Sequence, residues 1–271
     1  LYIITSFMGI RLALCQSRSS VGDVGSNLDR IMSIITQTKA DVYVFPELFL
    51  CGYGAEYKSM ECDIQYALDK IKIWCMENDI AVIVGAPSYD AFGMKNSLFF
   101  ITQKETVRYD KLYLAKFGIY NEKEFIPGKR AMISEFKGMR FGLSICYDLF
   151  FPEIYRNYAM NGADVNICIS AAAASSKPFF DRILPARSLE NVIYTVFVNS
   201  IGEYNGNMFA GQSRLVGPLG NTLSETGDQD EVFCVYLDED VVINARKDRH
   251  HLEDLREDII WVDELKNKLC S

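Results

Sequence analysis

The chain has 271 residues, 49% of them hydrophobic and 24% charged, with a formal net charge of −8. That length and balance suit one folded domain with a large core of its own. The acidic balance speaks against a phosphate-backbone partner, so no nucleic acid is expected.

Eight cysteines include no C-x-x-C pair, and the only histidines, His250 and His251, are adjacent. This pattern excludes a zinc site of ordinary spacing and a disulfide framework. Several cysteines fall in apolar runs, the pattern of reduced, core-packed thiols in a cytoplasmic protein. No run is long enough to span a membrane, and no membrane partner is expected. The opening LYIITSF lacks the basic start and the cleavage site of a signal peptide. Because the first convincing strand follows Met8, residues 1–7 are expected to be an upstream extension.

In chain order, GIRLALCQ reads as a strand, and residues 27–39 carry Leu28, Ile31, Ile34 and Ile35 at helical spacing. VYVFPE (residues 42–47) is an apolar strand ending on a carboxylate. A helix is expected over residues 62–78, with Ile64, Leu68, Ile71 and Cys75 on one stripe. AVIVGAP (81–87) is a buried strand closed by a Gly/Pro turn. SLFFIT and TVRYDK form a predicted hairpin, as do AMISEF and MRFGLSIC.

A helix from Pro152 to Met160, strand DVNICIS and a helix over residues 178–191 follow. YTVFVNSIG, FAGQSRLVGP, NTLSETG and EVFCVYLD complete the strands. The charged RKDRHHLEDLREDIIWVDELKN is expected over the surface or at a subunit boundary. Hairpins mixed with βα units predict mixed sheets in an α/β fold.

Three strand ends bring reactive groups: Glu47 in VYVFPELFLCGY, Lys111 in VRYDKLYL and Cys146 in LSICYDLFFPE. With both histidines in a charged C-terminal segment, a thiol nucleophile needs another base. A desolvated carboxylate can serve, because burial moves its pKa towards neutrality. A neighbouring ammonium would stabilise a thiolate or an oxyanion. Each residue also has a plainer reading: a packed thiol, a strand-end cap and a solvated hairpin charge. Glu122, in the charged NEKE loop, reads by default as a solvated face. Asp148 and Glu153 suit the turn and the helix start, and Arg187 and Glu190 read as structural. GYGAEY lacks the third glycine of a dinucleotide loop, and there is no phosphate loop or G-x-S-x-G elbow.

At these residues the chain resembles the nitrilase superfamily of carbon–nitrogen hydrolases. FPELFLCGY, YDKLYL and ICYDLFFPE match its glutamate, lysine and cysteine segments in order. FGIYNEKEFIPG, DRILPARSLENVIYTVFVNSIG and FAGQSRLVGPLGNTL extend the likeness over most of residues 10–250. The resemblance implies a four-layer α-β-β-α sandwich with mixed sheets and a catalytic Glu47, Lys111 and Cys146. It places Glu122 or Glu124 as an assisting glutamate; the loop is one residue shorter than the commonest form. Tyr53, Tyr147, Ala171 and Ala172 are expected around the substrate.

The implied reaction is hydrolysis of a small non-peptide amide to the acid and ammonia through a cysteine thioester, without a metal or organic cofactor. Nitrile or N-carbamoyl hydrolysis on the same triad, and a non-catalytic scaffold, are the alternatives. FGIYNEKEF also resembles the loop of glutaminase domains, so a standalone ω-amidase or glutamine-like amidase is in view. SAAAASSKPFF points to a small, partly apolar substrate. A homodimer or larger homo-oligomer, joined through helices near Cys146 and residues 180–191, is the implied assembly.

Overall fold

The computed structural model describes residues 9–118, 120, 122–256 and 258. The expected extension at residues 1–7 and the charged tail from residue 259 onward lie outside the described residues. The chain opens with β1 (Gly9–Gln16), whose continuous apolar run has a simple cause: both faces are covered. Leu12 and Leu14 enter one core, and Ala13 and Cys15, pointing the other way, enter a second. Helix α1 (Val24–Gln37) follows, started by the Asp23 carboxylate, which accepts the Ser26 N–H at 2.9 Å. Its buried stripe is Val24, Leu28, Ile31, Ile34 and Ile35. Strand β2 (Val42–Val44) is shorter than the expected VYVFPE run. Pro46 has no N–H to offer the ladder, so the strand ends and Glu47 falls in the turn beyond it.

Helix α2 (Glu61–Asn78) buries Ile64, Leu68, Ile71 and Cys75 as the spacing predicts. The AVIVGAP run does not stop at its Gly/Pro pair; β3 (Ala81–Asp90) continues and turns directly into β4 (Gly93–Ile101). Strand β5 (Thr106–Asp110) closes the predicted hairpin with β4. The second predicted hairpin is β6 (Ile133–Phe136) with β7 (Met139–Ile145). Helix α3 (Pro152–Met160), β8 (Val165–Ser170), α4 (Lys177–Leu189) and β9 (Tyr194–Asn199) come next. A small hairpin that the sequence did not reveal, β10 (Glu203–Tyr204) with β11 (Asn207–Met208), precedes β12 (Arg214–Val216). Strands β13 (Thr222–Glu225) and β14 (Glu231–Asp238) and helix α5 (Glu239–Asp248) complete the order.

Two six-stranded sheets result, ordered β14-β1-β2-β3-β4-β5 and β13-β12-β9-β8-β7-β6. In each, three central strands are parallel (β1, β2, β3 and β7, β8, β9) and the outer pairings are antiparallel. Helices α1 and α2 share one core with the outer face of the first sheet. The other core joins its inner face to the second sheet and to α3 and α4. The expected α-β-β-α layering with mixed sheets is therefore present. Phe100 and Phe141 meet across the sheet interface with ring centroids 5.4 Å apart. No helix among the described residues is long and apolar enough to cross a membrane.

Phe100 is fully buried at that contact. Phe100→Ala is expected to lower unfolding free energy by about 3–5 kcal/mol in urea titrations. A loss below about 1 kcal/mol would show that the two sheets do not depend on this packing.

Candidate active site

The reactive groups sit just beyond the C-terminal ends of β2, β5 and β7, the edge where α/β sheets gather ligands. Glu47 occupies the turn after β2, which lies flat against β3 because residue 85 is glycine. A Cβ there would stand 2.3 Å from the Leu48 nitrogen. Lys111 directly follows β5, and its N–H donates to the Asn96 carbonyl at 2.9 Å. Cys146 directly follows β7.

Lys111 is 1% exposed, and its ammonium joins two carboxylates. Its Nζ donates to Glu47 Oε1 at 2.7 Å and to Glu122 Oε1 at 2.6 Å. Asn96 Nδ2 donates to the same Glu47 oxygen at 2.7 Å and reaches Glu122 Oε1 at 3.4 Å. The second Glu47 oxygen accepts the Ala171 N–H at 2.9 Å. Of about four acceptor sites on a carboxylate, these three donors leave one open on Oε2. Glu122 is anchored by the Ala115 N–H at 2.7 Å, and the Tyr53 hydroxyl approaches it at 3.5 Å. An ammonium has three donors, so one remains after both carboxylates are served.

Burial presses the Lys111 pKa down, but the Glu122 and Glu47 charges outweigh it and hold the ammonium well above its usual range. Burial raises the Glu122 carboxyl, with Lys111 pulling against it. The Cys146 thiol is raised well above its usual value by burial and then by Glu47, with Lys111 opposing. At neutral pH the resting sulfur is therefore a thiol that needs a base.

Cys146 has φ +46, a left-handed conformation uncommon for a non-glycine residue and typical of functional turns. A short helix over Cys146–Phe150 begins there, and the first N–H groups of such a helix have no intrahelical acceptor. The Tyr147 N–H is one of them. Asp148 holds the turn. Its Oδ2 accepts the Tyr109 hydroxyl at 2.7 Å and the Ile145 N–H at 3.0 Å, and its Oδ1 accepts the Tyr113 N–H at 2.9 Å. One buried carboxylate thus ties the Lys111 segment to the Cys146 segment. Behind it, Arg187 Nε on α4 donates to the Leu149 carbonyl at 2.9 Å, and Arg187 Nη1 donates to Glu190 at 2.8 Å.

Lys111 joins Glu47 and Glu122, Cys146 lies close enough for the Glu47 and Lys111 charges to act on its thiol, and Glu124 is exposed. Tyr147 lines a cavity of about 350 Å³ that Cys146 opens into. Tyr53 and Ala171 stand behind the carboxylates. Ala172 turns away: its N–H goes to Asn199 Oδ1 at 2.8 Å, and its carbonyl accepts from Asn199 Nδ2 and the Ala210 N–H. Asn96 escaped the sequence reading because the expected strand began one residue later, at Ser97, whereas β4 begins at Gly93 and buries Asn96 fully. Among the described residues no cluster of His, Cys, Asp or Glu could hold a metal ion.

The carbon–nitrogen hydrolase family matches residues 11–247, and the chain belongs to it. It is 31% identical to an (R)-stereoselective amidase from Pseudomonas sp., over 91% of this chain and 92% of that one. A glutamine-dependent NAD(+) synthetase from Aquifex aeolicus is 29% identical over 84% of the chain, which spans 42% of that protein's length. Among solved structures, a CN-hydrolase superfamily protein from Xanthomonas campestris has the same fold (TM-score 0.84, 21% identity, 93% and 99% covered). A variant of the amidase from Nesterenkonia sp. AN1 is 26% identical (TM-score 0.75, 91% and 97% covered). It carries the acetamide moiety of fluoroacetamide on its active-site cysteine. This protein is a hydrolase of carbon–nitrogen bonds other than peptide bonds.

Burial raises Asp148 from the ordinary 3.8 to about 6. A carboxyl raised on folding contributes stability that is full below about 3.8 and is lost as pH rises through about 6, a change of about 3 kcal/mol. Subtracting the unfolding free energies of Asp148→Asn from wild type at each pH isolates this contribution. The difference is expected to change with that sign between pH 4 and 7; a pH-independent difference would contradict it.

Proposed function

We propose that this protein hydrolyses small carboxamides to the carboxylic acid and ammonia, with Cys146 as nucleophile, Glu47 as general base and acid, and Lys111 as oxyanion stabiliser. The observation that carries the reading is the double ion pair of buried Lys111 with Glu47 and Glu122, beside the buried Cys146 thiol.

The open site on Glu47 Oε2 takes the thiol proton as Sγ bonds to the amide carbon. The oxygen gains charge and is met by the remaining Lys111 proton and the Tyr147 N–H. The C–N bond then breaks, the proton on Glu47 passes to the departing nitrogen, and ammonia leaves neutral. Water attacks the thioester, giving its proton to Glu47; the C–S bond breaks, the proton returns to sulfur and the acid departs. Glu122 keeps Lys111 charged and aimed. The likeness to an amidase supports an amide over a nitrile or carbamoyl substrate. A scaffold without catalysis has no observation in its favour.

The same reading makes this a cytoplasmic enzyme: the seven described cysteines are free, which suits a reducing compartment. It also assigns self-association to α3 and α4, where Met160 and Leu189 are exposed.

Ammonia release from short amides is the test. Cys146→Ala is expected to abolish it, and Glu47→Gln to lower kcat by about 10²–10⁴ with the fold intact by circular dichroism. A Cys146→Ala protein working at the wild-type rate would refute the scheme.

A further inference from the structure

We infer that the acyl group this enzyme accepts is apolar and uncharged, and that Phe117 and Phe179 select it. The inference rests on the amidase reading above and goes beyond it by naming the substrate class. The cavity next to Cys146, about 350 Å³, is large enough for a small-molecule acyl chain. Its wall is a chain of rings. Phe117 meets Tyr120 with centroids 5.9 Å apart and Tyr147 at 4.9 Å; Tyr147 meets Phe150 at 5.4 Å, and Phe150 meets Phe180 at 5.6 Å.

The described lining carries no charged side chain. Two of its three hydroxyl groups, those of Tyr120 and Ser176, meet locally: the Tyr120 oxygen accepts the Ala173 N–H at 2.9 Å and lies 3.3 Å from the Ser176 hydroxyl. Of the cations close by, Lys116 is exposed to solvent and not part of the lining, and two are committed. Lys111 serves two carboxylates, and Lys177 pairs with Asp181 at 2.6 Å. A substrate with a carboxylate on its acyl chain would set it against these rings and lose water there, which is unfavourable. An aliphatic or aryl acyl chain instead removes apolar surface from water on both partners.

Phe117 and Phe179 line this cavity and yet are 51% and 56% exposed. Two half-exposed rings on the cavity that Cys146 also lines gain cover when an apolar chain lies against them. Neither ring takes part in the hydrogen bonds of Glu47, Lys111 or Glu122, so their removal leaves those bonds in place. This assignment disfavours an ω-carboxylate amide and sets aside the ω-amidase or glutamine-like alternative.

The test measures kcat/KM by ammonia release for acetamide, butyramide, phenylacetamide, succinamate and β-alaninamide. Phenylacetamide and butyramide are expected to exceed both succinamate and β-alaninamide by about 100-fold or more. In Phe117→Ala and Phe179→Ala, phenylacetamide should lose about tenfold, mostly through KM, and acetamide less than threefold. Phe117→Leu should restore most of that loss. Succinamate or β-alaninamide turned over as well as phenylacetamide would overturn the inference, as would variants that slow every amide equally. With acetamide still hydrolysed through Cys146, either result would leave the amidase reading standing. No ammonia from any of the five would overturn both.

Discussion

The site depends on one interaction, the buried Lys111 ammonium shared by Glu47 and Glu122. A lysine this deep is tolerable only because its charge is matched at once by carboxylates; removing one partner from a buried pair costs about 3–5 kcal/mol. The pairing also runs the other way, since the two glutamates lie on different segments and would repel each other without the cation. It therefore fixes the turn after β2 relative to the loop carrying Glu122. The ion pair is weak evidence for stability and stronger evidence for function.

Around that centre, the supports are buried polar groups that hydrogen bonds tie to neighbouring segments. Asp148 joins Tyr109, Tyr113 and Ile145, so the Lys111 and Cys146 segments move as one. Arg187 reaches from α4 to the Leu149 carbonyl and stiffens the short helix after the thiol. The strained φ at Cys146 persists because these contacts surround it. Rigidity matters here because the scheme asks one carboxylate to serve sulfur, leaving nitrogen and water in turn.

The strand ends were legible in the sequence for a physical reason. Apolar runs such as GIRLALCQ feed two cores at once, so they stand out as buried strands, and a charged residue at their ends is conspicuous. The choice of Glu122 over Glu124 was not legible, since a charged loop has no periodicity to say which carboxylate turns inward. Asn96 was missed because its place depends on the β3–β4 hairpin, whose continuation past Gly85 and Pro87 runs against the usual turn signal. Ala172 was grouped with Ala171, yet consecutive residues after a strand send their N–H groups in different directions. One binds Glu47 and the other Asn199.

Alkylation with iodoacetamide, whose CH2 carbon bonds to the sulfur as iodide leaves, tests the central claim most directly. Peptide mass measurement over a time course should place one acetamide group on Cys146, accumulating in step with the loss of ammonia release, which label on the exposed Cys62 and Cys234 should not track. Full activity with Cys146 completely labelled, or inactivation with Cys146 untouched, would contradict the account.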